Sequence, residues 1–155
     1  MQFTNYFSAS VISFSGLIIG LMLVKIAPEE QKSLQKYFFI FRKILLLMIF
    51  IFLFFYFFNE RFYLLTLIAY FIFLLFIEHK TNDMLKKSML TYAVLGILFF
   101  LSSRNTNLFI IESSFILLYG LPVMSLMYKR KEKNHYKAIF YNLVFILIAN
   151  MLFFV

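Results

Sequence analysis

One acidic side chain, Glu112, falls inside a long apolar run of this chain, about one helical turn from the start of that run. An ionisable group among apolar neighbours is costly, so it marks a functional site unless a partner or water compensates it. In a functional role Glu112 would bind a proton or cation at the mouth of a pathway, or an amine on a partner. In a structural role it would reach water or pair with Arg104 or Arg61.

Other polar residues in the last two apolar runs could share an interior with this acid. Tyr119 lies seven residues after Glu112 and therefore on the same helical face. Pro122 removes one backbone hydrogen bond, which predicts a kink and a carbonyl that must find another partner. Asn142 and Asn150 are of a type that makes hydrogen bonds between membrane helices. We predict that these five residues form the polar interior or line a pathway.

Six apolar runs would position these groups. The chain is 63% hydrophobic and 14% charged, whereas a soluble domain is typically about half apolar and a quarter charged. A membrane-spanning helix needs about 20 predominantly apolar residues. We predict a single membrane domain over residues 1–155, with spans near 7–27, 37–58, 62–77, 89–103, 108–127 and 138–155. The third and fourth runs are short and need an additional turn.

Basic residues predict the orientation of these spans. Thirteen of the fifteen Lys and Arg residues lie in three clusters between runs, at positions 25–43, 80–87 and 129–137. Lys and Arg in short loops mark the cytoplasmic side, and the net charge of +8 falls entirely on that side. A re-entrant hairpin in place of the third and fourth spans would bury the central cluster at membrane depth, which is costly. We therefore predict an all-α bundle of six transmembrane helices in three antiparallel hairpins, in the cell membrane, with both termini outside.

Small residues share one face of the first run. Ala9, Ser13, Gly16 and Gly20 follow one another at steps of three or four residues. Lipid gives helices no hydrophobic reason to associate, so small residues that admit a close backbone approach mark a packing face. We predict that this face packs against a neighbouring span, and a dimer interface is the alternative.

The second helix is predicted to begin before the membrane, because Pro28 is followed by two glutamates, a pattern typical of helix starts. Lys32, Lys36 and Lys43 would then lie along one face and be available to anionic lipid headgroups. Arg42 and Lys43 fall in the first turns of the apolar run, from which long basic side chains can extend to the interface.

Residues 16–38 resemble a pattern in small, uncharacterised multi-span archaeal membrane proteins. The resemblance is carried by Gly16-Leu17-Ile18-Ile19-Gly20, Ala27-Pro28-Glu29-Glu30 and Lys36-Tyr37-Phe38. It implies a location in the membrane and no particular activity.

Signatures of catalysis and of metal binding are missing from the sequence. There is no Cys, and His79 and His135 lie far apart without the paired spacing of a metal site. Gly-rich phosphate loops and serine-nucleophile motifs are also missing. We expect a protein that is not an enzyme and that has no cofactor and no metal ion. No nucleic-acid partner is expected either, because membrane topology already accounts for the positive charge.

Three functional hypotheses follow. The first is a non-catalytic subunit or scaffold of a membrane assembly, with the lipid bilayer and either further copies of itself or another membrane protein as partners. The second is a small oligomeric transporter or channel with a pathway near Glu112 and the Pro122 kink. The third is a membrane sensor that signals through its basic loops.

Overall fold

The computed structural model describes residues 2–128 and 135–154, except for the side chains of 30–32, 128 and 135. Its helices are α1 (Phe3–Ile26), α2 (Pro28–Tyr56), α3 (Arg61–Lys80), α4 (Met84–Ser102), α5 (Thr106–Tyr128), α6 (His135–Asn142) and α7 (Val144–Phe153). Within the described ranges six helical segments are long and apolar enough to cross a membrane, the last comprising α6 and α7. The prediction of an all-α protein with six candidate spans is confirmed.

Several helices are longer than the apolar runs that predicted them, because helical hydrogen bonding continues into the polar residues that flank a run. α3 has 20 residues and α4 has 19, so both short runs gain the additional turn that a span requires. The start of α2 at Pro28 is confirmed, with the proline in the first turn, where no N–H donor is needed.

The final span, predicted as one stretch over 138–155, consists of two helices. α6 ends at Asn142 and α7 begins at Val144. The N–H of Leu143 between them is shared by the carbonyls of Ile139 and Phe140, at 3.2 Å each. A donor shared between the third and fourth preceding carbonyls indicates a locally tightened turn, so the chain continues in nearly the same direction.

α5 lies at the centre of the bundle. It packs most extensively against α1, then against α2 and α4, while α4 packs along α7. In the most apolar window of α5, 56% of the residues are buried, whereas the figure for α3 is 17%. The core therefore consists of α1, α4, α5 and α7, with α2 along one side and α3 at the periphery.

Among the four glycines, the tightest surroundings are found where α1 meets α5. A Cβ atom added to Gly16 would overlap the backbone of Leu117, and one added to Gly120 would overlap the backbone of Gly16. At Gly20 the clearance is larger, since an added Cβ would lie 3.1 Å from the carbonyl oxygen of Gly120 and from the Cα of Leu121. Residue numbers rise together along both helices at this contact, so α1 and α5 run in the same direction.

The polar member of the small-residue face also contacts α5. The Ser13 hydroxyl donates a hydrogen bond to the carbonyl of Ser113 at 3.1 Å. Ala9, one turn earlier, packs partly buried against the hydrophobic core. The face of α1 predicted from small residues is thus directed into the bundle of a single chain.

We predict that Gly16→Ala destabilises the protein by about 1–3 kcal/mol, the usual cost of overpacking a close contact. The added methyl group would overlap the Leu117 backbone, which cannot rotate away. Gly20→Ala is the matched control and should lose less, because its contacts are longer and alanine gains up to about 1 kcal/mol of helix propensity. Thermal unfolding of the two variants in detergent measures the difference, and equal stability of both would contradict the close approach.

Candidate functional site

Glu112 lies inside the bundle without a polar partner. Its side chain is 0% exposed, and within the described part of the chain neither carboxylate oxygen has a hydrogen-bond partner. Neither contact considered for a structural role is seen in the described residues, because the side chain has no solvent exposure and no arginine donates to it. Arg61 is exposed at the start of α3, and the guanidinium of Arg104 lies over the ring of Tyr63, 4.4 Å from its centre.

Tyr119 continues the buried face of α5 that begins at Glu112. It is 0% exposed, and its ring centre lies 5.7 Å from that of Tyr92 on α4. Neither hydroxyl has a hydrogen-bond partner among the residues that the structure describes. Thr91 lies beside the Tyr119 phenol but donates its own hydroxyl hydrogen to the Lys87 carbonyl, and the charges of Arg42 and Glu78 act on the phenol. The phenol therefore lies between the acid and a group of charged side chains.

The two asparagines are elsewhere in the bundle and connect helices. Asn142 accepts a hydrogen bond from the Ser88 hydroxyl through its Oδ1 at 2.9 Å, which links α6 to α4. The Nδ2 of Asn150 donates to the hydroxyl of Ser10 at 3.2 Å and to the carbonyl of Ile146 at 2.8 Å, which links α7 to α1. Glu112 and Tyr119 lie on one buried face of α5, and among the described residues no hydrogen bond connects either asparagine to them.

Pro122 lies buried in α5, which remains helical from Thr106 to Tyr128. The hydroxyl of Ser125 donates to the carbonyl of Leu121 at 3.0 Å, immediately beside the proline. The proline leaves one carbonyl of the preceding turn without its helical donor. The kink itself stays a prediction.

A cluster of three charged side chains, Arg42, Glu78 and Lys87, joins α2, α3 and α4. The Nη2 of Arg42 lies 2.5 Å from Oε1 of Glu78, and Nζ of Lys87 lies 3.6 Å from Oε2. Lys87 also donates to the backbone carbonyl of Glu78 at 2.9 Å. The side chain of Arg42 is 1% exposed and that of Glu78 is 26% exposed. We call this group the charged triad.

Sequence reasoning missed the charged triad. The side chain of Arg42 was expected to extend to the interface, and Glu78 and Lys87 lie just outside the predicted third and fourth spans, whereas all three belong to helices that contact one another. The shortness of the third and fourth apolar runs could have indicated these contacts. Extending each by one turn brings Glu78 into α3 and Lys87 into α4, where a charged side chain requires a partner.

The lysines predicted to bind lipid headgroups divide into three cases. Lys43 is exposed, with its Nζ 4.5 Å from the ring centre of Phe39, and it lines a cavity together with Glu78. Lys36 is exposed on the same helix. The side chain of Lys32 lies outside the described residues, as do Lys129, Arg130, Lys131 and Lys133 of the third basic cluster.

Where side chains are described, no group of three or more His, Asp or Glu residues is close enough to hold a metal ion.

Comparison with protein families, with curated proteins and with solved structures finds no match to this chain. The resemblance of residues 16–38 to small archaeal membrane proteins stays a prediction.

We predict that Glu78→Gln destabilises the protein more than the double change Arg42→Gln with Glu78→Gln does. The single change leaves the buried guanidinium without its carboxylate, whereas the double change removes both charges. A loss of roughly 1–3 kcal/mol is expected for the single variant, since Glu78 is partly exposed. Chemical or thermal unfolding in detergent measures this order, and a double variant less stable than the single one would contradict it.

Proposed function

We propose that this chain is a non-catalytic subunit or scaffold of a membrane assembly. The observation that carries the proposal is the peripheral position of α3, where 17% of the most apolar window is buried. Leu65 and Ile72 lie seven residues apart on one face of this helix and are 70% and 60% exposed. Helices associate in lipid through direct side-chain packing, so this long apolar face is free for a helix of a neighbouring subunit.

The proposed topology has three antiparallel hairpins, with both termini outside and the basic segments in the cytoplasm. Its support is the distribution of Lys and Arg, because thirteen of fifteen belong to the segments assigned to the cytoplasmic side. The connections between α2 and α3 and between α4 and α5 are short, as expected for neighbouring antiparallel helices. In this arrangement the charged triad lies at the cytoplasmic end of the bundle and Glu112 lies towards the outer end.

A photo-crosslinking experiment in native membranes tests the subunit role. A photoreactive amino acid at Leu65 or at Ile72 should give an adduct with the same membrane protein, which also co-purifies with the unmodified chain in a fixed ratio. The matched control is Phe140 on α6, which is 70% exposed but lies on another helix. Lipid adducts alone from all three positions, with a chain that purifies by itself, would contradict the proposal.

A second candidate function, a small oligomeric transporter or channel for protons or cations, is favoured by the isolation of Glu112. A buried carboxyl group without a partner is retained at a cost to stability, which is typical of sites that bind an ion transiently. Tyr119 lies about 10 Å further along α5, and the charged triad follows. Polar groups are thus available at successive depths of the bundle interior.

We predict that Glu112→Gln lowers proton or cation flux into vesicles containing the purified protein at least about tenfold while leaving the fold intact. Glutamine keeps the shape and the neutral, polar character of a buried protonated carboxyl but cannot release a proton, so unfolding should be no easier. Glu60→Gln is the matched control, since Glu60 is exposed in the turn before α3. Equal flux through both variants and the original protein would contradict the transport role.

A further inference from the structure

A groove runs between α2 and α3. Its wider part has a volume of about 500 Å³ and is lined by apolar side chains, including Leu47, Phe50 and Phe54 of α2 and Leu67 and Phe71 of α3. A second cavity of about 240 Å³ shares Leu47, Phe50 and Phe71 with the first. The two cavities are therefore parts of one channel-like surface, which we call the α2–α3 groove.

The dimensions of the α2–α3 groove match a lipid chain. From Lys43 to Phe55, the lining residues at its two ends, α2 rises about 18 Å. The groove is therefore about as long as one leaflet of the hydrocarbon core is thick, about 15 Å. The length and the apolar lining suit an acyl chain.

The two ends of the groove differ in charge. Lys43 and Glu78 line the narrow end, beside Arg42 and Lys87 of the charged triad. Among the described side chains at this end, three cations face one carboxylate, and Lys43 has no carboxylate within ion-pair distance. The Nε donor of Arg42 is also without a hydrogen-bond partner in the described residues. The positive excess would be complemented by one anionic group.

We infer that the α2–α3 groove binds one anionic phospholipid. Its phosphate lies at Lys43, close to Arg42 and Lys87, and one acyl chain runs along the groove over the contacting rings of Phe50 and Phe71. Burial of the acyl chain in the groove supplies affinity for any lipid, and Lys43 supplies the preference for a negative headgroup. This inference stands apart from the transport proposal, because Glu112 does not contribute to the groove. The groove borders the exposed face of α3, since Ile68 lines it and lies between Leu65 and Ile72.

Fluorescence quenching by brominated lipids tests the inference directly. The chain contains no Trp, so a single introduced tryptophan is an unambiguous reporter. Phe71→Trp places the reporter in the groove, and Phe73→Trp places it two residues away on α3, outside the groove lining. Phe71 and Phe73 are similarly exposed, at 38% and 46%. The full-length variants are reconstituted in phosphatidylcholine vesicles containing a minor fraction of brominated phosphatidylglycerol or brominated phosphatidylcholine.

We call Phe71→Trp the groove reporter and Phe73→Trp the outer reporter. The groove reporter should be quenched by brominated phosphatidylglycerol at a several-fold lower lipid fraction than by brominated phosphatidylcholine. The outer reporter should respond equally to both lipids. Adding Lys43→Gln to the groove reporter should reduce the preference for the anionic lipid about fivefold, because one basic side chain near a membrane surface strengthens the binding of anionic lipid by about that factor. Lys25→Gln is the matched charge control, because Lys25 lies at the end of α1 beside Tyr136, and it should leave the preference unchanged.

Three results would overturn the inference. An equal anionic preference at both reporters would show general attraction of anionic lipid to a basic protein. An equal response of the groove reporter to the two lipids would show that the groove binds acyl chains without regard to charge. If the outer reporter is quenched while the groove reporter is not quenched by either lipid, another protein segment or a second copy fills the groove. Circular dichroism of each variant confirms that the helices are retained.

Discussion

The close approach of α1 and α5 organises this protein. Gly16 lies against the backbone of Leu117, and Gly120 lies against the backbone of Gly16. In a bilayer the surrounding lipid is as apolar as the helices, so van der Waals contact over a tight interface replaces the hydrophobic effect as the reason to associate. Every other helix of the core packs on α5 or on a helix that contacts it. The positions of Glu112 and Tyr119 inside the bundle follow from the same contact, because it fixes which face of α5 is directed towards α1.

Hydrogen bonds between polar side chains add specificity to this packing. The hydrogen bonds of Asn142 with Ser88 and of Asn150 with Ser10 connect α6 and α7 to the core. Such bonds contribute modestly in membranes, about 0.6 kcal/mol on average, because an unpacked helix also finds partners for its polar groups. Their role is to select one register between helices. Glu112 differs from them, since no described partner compensates for its burial.

The helices at the periphery of the bundle pack differently from those at its centre. α2 and α3 lack glycines and contact each other through large aromatic side chains such as Phe50 and Phe71, whose rings meet edge to face at 5.1 Å. Bulky side chains keep the two backbones apart, and the space left between them is the α2–α3 groove. The charged triad holds α2, α3 and α4 together at one end of this groove. Tight packing thus gives a rigid centre, and loose packing gives a surface that a lipid can enter.

Apolar run length and the positions of basic residues were enough to predict the helical class and six spans, because a bilayer imposes one length and one hydrogen-bonding pattern on any segment that crosses it. The small-residue spacing of α1 likewise indicated a packing face through helical periodicity alone. The partner of that face, the isolation of Glu112 and the pairing of Arg42 with Glu78 were decided by tertiary structure. They depend on which helices become neighbours and how each is rotated about its axis, and neither property is encoded within a single apolar run. Glu112 shows this most clearly, since Arg104 and Arg61 were considered as its partners in a structural role and helix rotation directs it into the interior instead.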